Sequence, residues 1–231
     1  MKNFSRIFCI IFLFGLTACS MTPNTPPSSQ TWAINAFLSG ANMSFFVTSV
    51  NPGSGGNLRG LTGADAYCKK LATAVGAGDR TWHAYLSTTQ SGTAPWVNAR
   101  DRIGKGPWYN ARWVLIAENI EALHSKNALS KDTSLDERGT VVLGRGDVTN
   151  NHDIITGSLP DGSASGSTTD TTCGNWTTGS SGSAIVGHHD RIGINDTEPM
   201  KSWNSSHATR GCSLEELKST GGAGLFYCFA E

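Results

Sequence analysis

Apolar residues at Ala64, Cys68, Leu71, Ala72 and Val75 recur at i, i+4, i+7, i+8 and i+11, the spacing of one buried helix face. Thr62 just ahead is a residue type that caps helix N-termini, and Asp65 three residues on comes close to a capping box. Elsewhere the period shortens to two. Trp82, Ala84 and Leu86 alternate with Thr81, His83 and Tyr85, which predicts a half-buried strand, and Leu225 to Ala230 reads as a closing strand. The β-branched and aromatic run Met43 to Thr48 predicts a first strand, followed by a loop from Asn51 to Asn57. Short apolar runs at Trp113–Ala117 and Val141–Leu143 predict two more strands. Asn119 is placed to cap a brief helix through Ala122, Leu123 and His124. Gly106 and Pro107 form a turn ahead of Trp108 and Tyr109.

The pattern stops between Thr156 and Gly187, where Ser, Thr and Gly dominate and only Asp161 and Asp170 are charged. A structureless span of this length is unusual inside a compact domain. Because it carries Cys173 and Trp176, it reads as an irregular loop region stapled in place.

The first residues follow a different logic. Lys2 and Arg6 precede an apolar run from Ile7 to Leu16, too short to span a bilayer and suited to a signal-peptide core. The run ends in Leu16-Thr17-Ala18-Cys19, which resembles the lipobox of bacterial lipoproteins. The resemblance implies removal of residues 1–18 as a signal peptide and a diacylglycerol on Cys19. Acyl chains bury about 0.8 kcal/mol per methylene, so a doubly or triply acylated cysteine is a durable membrane anchor. Ser20 stands where some inner-membrane lipoproteins of Gram-negative bacteria carry Asp, and by that resemblance the cell envelope, at the outer membrane, is the expected location. Residues 19–40, rich in Ser, Thr and Pro, read as a tether, and residues 41–231 as one domain.

Removing Lys2 and Arg6 leaves 16 basic residues (18 minus 2) against 18 acidic ones, a formal −2. With no clustered basic run, nucleic acid is not an expected partner. Cys9 leaves with the signal and Cys19 takes lipid. Cys68, Cys173, Cys212 and Cys228 remain, an even set in an oxidising compartment that allows three pairings. There is no Gly-x-Ser-x-Gly elbow and no His-Glu-x-x-His, and paired cysteines offer no nucleophile, so the chain is expected not to be an enzyme.

An opening strand followed by Gly60-Leu61-Thr62-Gly63-Ala64-Asp65-Ala66-Tyr67-Cys68 resembles the C-type-lectin-like fold. So do the strand from Trp82 to Ser87, the segment Thr172 to Thr177 and the closing Leu225-Phe226-Tyr227-Cys228. The likeness covers about Ser44 to Ala230 and is nearest to endostatin domains and to lectin-like domains of bacterial surface proteins. It implies an α+β fold of short antiparallel sheets with two helices and a long loop region. It also implies the pairs Cys68–Cys228 and Cys173–Cys212, although Ser213 to Gly224 lie between the last two cysteines as an added stretch. Sugar-binding members hold calcium with Glu-Pro-Asn and Trp-Asn-Asp. Here the residues are Glu198-Pro199-Met200, on the far side of Cys173, and Trp203-Asn204-Ser205, so two oxygen ligands are missing.

The function expected on these grounds is recognition without calcium: a membrane-anchored module that holds a glycan or a surface protein through its loop region. A structural envelope lipoprotein and a zinc-binding endostatin-like domain are the alternatives. Trp203, Asn204, His207 and Trp108 are candidate ligand contacts. No cofactor is assigned, with calcium and zinc both left open. His188, His189 and Asp190 are the weak metal candidates, since adjacent strand residues face opposite ways; His152 with Asp153, or His207, could complete such a site.

Overall fold

The computed structural model describes residues 42–90, 95–167 and 169–231. The expected signal peptide, Cys19 and the tether therefore lie outside the described residues. Among the described residues, no helix is long and apolar enough to cross a membrane.

Helix α1 (Gly60–Ala74) buries Ala64, Cys68, Leu71 and Ala72, the stripe that its periodicity predicts. Its start differs from expectation. Arg59 occupies the N-cap in the left-handed region, and no side chain caps the helix. Asp65 has stronger partners: it accepts the Ala84 N–H at 2.8 Å and two bonds from the Arg102 guanidinium at 2.9 and 2.7 Å. A paired guanidinium is worth more to a carboxylate than an exposed helix end.

The strands β1 (Phe45–Val47), β2 (Trp82–Ala84) and β9 (Tyr227–Ala230) form one antiparallel sheet with β9 in the centre. Side chains alternate across it into two cores. Phe46, Trp82, Ala84 and Cys228 face α1, while Phe45, Val47, Tyr227 and Phe229 face a second cluster with Tyr85, Trp108 and Trp203. Burial on both faces explains why all four residues of β9 are inaccessible. The Cys68–Cys228 disulfide ties α1 to this central strand.

A hairpin of β3 (Trp108–Tyr109) and β4 (Leu115–Ala117) leads into helix α2 (Ile120–Ser125), capped as expected by Asn119, whose Oδ1 accepts the Ala122 N–H. The apolar run at Trp113 splits: Trp113 and Val114 are exposed at the hairpin tip, and the strand begins only at Leu115. Val141–Leu143 is not a strand; Val141 makes a single bridge to Leu135.

The second sheet has the order β7-β6-β5-β8, from β5 (Asp153–Ile155), β6 (Ile185–His188), β7 (His207–Ala208) and β8 (Gly222–Leu225). Between β5 and β6 lies the Ser/Thr/Gly region, organised about α3 (Cys173–Trp176). All four residues of that turn have positive φ, from 50 to 66°, so it winds left-handed. That winding costs a non-glycine residue roughly 1–2 kcal/mol. Three attachments hold it: the Cys173–Cys212 disulfide, the Trp176 indole N–H donating to the Ser87 carbonyl, and Asn175 Oδ1 accepting from Thr89. Both disulfides are thus the pairs that the resemblance implies. The added stretch before β8 forms helix α4 (Leu214–Thr220), opened by a capping box of Ser213 and Glu216. The described residues form a mixed α+β domain of small sheets and four helices, where the resemblance implies two, with two nested disulfides.

Candidate metal centre

Three strands of the second sheet place their polar residues on one face. Asp153 on β5 sits directly opposite His188 on β6, and His207 on β7 is opposite Val186, one diagonal step from His188. His152 precedes Asp153 and reaches the same point. The three Nε2 atoms lie 3.1 Å (His152), 3.3 Å (His188) and 3.5 Å (His207) from Asp153 Oδ1. Among the described residues, His152, Asp153 and His188 form a group whose ligand atoms all lie within 4.8 Å of one another.

The other nitrogen of each ring is already engaged. His152 Nδ1 donates to Asp190 Oδ1 at 3.3 Å, His188 Nδ1 to the Met200 carbonyl at 2.7 Å, and His207 Nδ1 to the Ala208 carbonyl at 3.1 Å. Acceptors at Nδ1 call for a proton on that nitrogen in each ring and leave the Nε2 atoms facing Asp153. Short as they are, the contacts with Asp153 lack hydrogen-bond geometry. Neither Asp153 oxygen has a hydrogen-bond partner, and neither does His188 Nε2, though each is buried. Buried polar atoms are almost always satisfied, so a partnerless carboxylate among three imidazole nitrogens marks a place suited to a cation.

Burial would raise the Asp153 carboxyl, but the attraction of the adjoining imidazoles, led by His188 and His207, holds it below its ordinary value, and Asp153 in turn raises the His207 imidazole above its own. Asp190 is likewise pushed up by burial and pulled down further by His152 and by the backbone N–H groups of Arg145 and Ile192, to about 2. Two negative charges are therefore fixed in a dry place. The rings of His152 and His188 stack at 4.1 Å and 10°. A dication at the convergence point would balance the buried carboxylates. The acceptors behind the histidines are the partners that orient metal-bound imidazoles.

Of the residues that the sequence singles out, His188 meets here with His152, Asp153 and His207, the residues named as able to complete a site. Asp190 stands behind His152 rather than at the convergence point. His189 turns away to the Leu143 carbonyl, and burial lowers its imidazole to about 4. Trp108 and Trp203 are not surface aromatics: Trp108 is fully buried against Phe229, and Trp203, 4% exposed, packs between Tyr85 and Tyr227. Trp203 is held there because Gly187 lets the 199–206 segment lie on β6; a Cβ at Gly187 would stand 2.0 Å from the Trp203 carbonyl oxygen. Asn204 is also buried, donating to Tyr85 Oη and to the Leu159 and Pro160 carbonyls. Edges of Trp203 and Asn204 still line a cleft of about 290 Å³ with His124, Arg191 and Lys201.

No protein-family model matches the chain, and no curated protein matches it. The class of protein is therefore defined by its architecture: a disulfide-stapled α+β domain in whose second sheet the buried His152, Asp153 and His188 converge with the part-exposed His207.

Proposed function

We propose that this chain is an envelope-tethered, C-type-lectin-like recognition domain whose loop face is built on a bound transition-metal ion of the zinc class. The observation that carries the metal is the buried Asp153 carboxylate, without a hydrogen-bond partner and surrounded by three imidazole Nε2 atoms. Imidazoles with one carboxylate suit zinc, copper, nickel or iron(II); calcium favours six or more oxygens, which this group does not supply. The ion would be held by His152, Asp153, His188 and His207, and would join β5, β6 and β7 under the 199–206 segment. Its role would be to fix that segment, which walls the neighbouring cleft, and not to do chemistry. The lipobox-like Cys19 supports the tether, and the nested disulfides support the lectin-like reading.

Equilibrium dialysis of the chelator-stripped protein against zinc and against calcium tests the reading. One zinc per chain, absent in Asp153→Asn and unmatched by calcium, is the expected result. Calcium binding at the same site, or no zinc uptake, would overturn it.

A further inference from the structure

The four side chains are not equivalent, and the difference points to how the site is used. His152, Asp153 and His188 have side chains 2% exposed, whereas that of His207 is 30% exposed. The Nδ1 atoms of His152 and His188 are held by Asp190 and by the Met200 carbonyl, groups distant in the chain. His207 Nδ1 meets only the carbonyl of its own neighbour, Ala208. It lies on a two-residue edge strand bonded to β6 alone, and its Nε2 is the farthest of the three from Asp153 Oδ1.

We infer that His207 is an exchangeable fourth ligand on a fixed three-ligand core, and that ions and an external imidazole donor reach the metal through its place. This rests on the metal reading above. Three donors held from behind keep their geometry when the fourth departs, and the departure of His207 exposes one coordination position to solvent while the rest stays dry. Zinc sites with three protein ligands keep that fourth position for water or an incoming donor. The ligand class is an unhindered imidazole, such as a histidine side chain presented by a partner, because it replaces an imidazole and the core already supplies its carboxylate. The domain would then grip a histidine-bearing partner through the ion and release the ion where His207 swings aside.

Cobalt(II) in place of zinc makes the test optical, through its tetrahedral d–d absorption. In His207→Ala the band should weaken and zinc release to a competing chelator should quicken by roughly tenfold or more, as ligand loss acts mainly on dissociation. Millimolar imidazole should restore the band in His207→Ala and not in His188→Ala. On the unaltered protein, added imidazole should accelerate zinc transfer to the chelator, a measurement that needs no variant to fold. Unchanged band and release rate in His207→Ala would show that His207 is not a ligand. Loss without rescue, together with imidazole-independent release from the unaltered protein, would show a closed four-ligand staple. Either result leaves metal binding standing and removes this inference, whereas an unaltered protein that takes up neither cobalt nor zinc removes both.

Discussion

Asp153 and His188 face each other across β5 and β6 with His188 Nε2 3.3 Å from Asp153 Oδ1, and neither atom has a hydrogen-bond partner. A buried carboxylate in this state gains most from a cation beside it. The effect of Asp153→Asn should therefore depend on the metal. Without metal the variant should lie within about 1 kcal/mol of the unaltered chain, because the amide ends the burial cost of the charge and also its attraction to the imidazoles. With zinc present it should be the less stable of the two. Urea midpoints with chelator and with zinc check both halves.

Chelation should lower the melting temperature of the zinc-loaded protein. At a free ion concentration of 100 times Kd, binding adds about 2.7 kcal/mol, or roughly 5–10 °C for a domain of this size. Calcium should give no such rise. Differential scanning calorimetry across a zinc titration reads both.

The helix stripe of α1, its cysteine, the Asn119 cap and the closing strand were legible because each is a local pattern acting on its own segment. Thr62 was misleading because Asp65, three residues later, is drawn to Arg102 and β2, a choice that no local window contains. Val141–Leu143 has strand composition but only a one-bridge partner. The capping box at Ser213 and Glu216 was present in the letters and obscured by treating that stretch as an insertion between cysteines. The metal candidates were half legible: the local cluster His188, His189 and Asp190 stood out, with His152 and Asp153, or His207, to complete it, but which of them converge depends on the register of three strands far apart in the chain. Trp203 sits in a polar run that reads as surface, and only the close approach at Gly187 shows why it is buried.

Replacing Cys212 by Ser should release the left-handed turn at Cys173–Trp176. A bridge between residues 39 apart in sequence restrains the unfolded chain by about 4 kcal/mol in the chain-entropy account. The loss should fall slightly below that figure, since the released turn also sheds its left-handed strain. Denaturation of the variant beside the unaltered protein, both in chelator, measures it.

Tyr85 and His124 give a pH prediction away from the metal residues. Asn204 donates to Tyr85 Oη, which donates to His124 Nε2 at 2.7 Å, while His124 Nδ1 donates to the Ile120 carbonyl. Burial lowers the His124 pKa below its ordinary 6.5. The unfolded chain then binds the proton more readily than the folded one, so this contribution to stability is complete above pH 6.5 and is lost as pH falls below it. His124→Asn should flatten that part of the urea-midpoint profile. Tyr85→Phe should cost about 1–3 kcal/mol at pH 7.5 by leaving His124 Nε2 without its donor.

X-ray absorption at the zinc edge of the loaded protein tests the central claim most directly. The account predicts a four-coordinate shell of nitrogen and oxygen at about 2.0–2.1 Å, with the outer-shell scattering of three imidazoles. In His188→Ala that imidazole contribution should fall. Sulfur in the shell, a shell of water oxygens alone, or imidazole scattering unchanged in His188→Ala would contradict it.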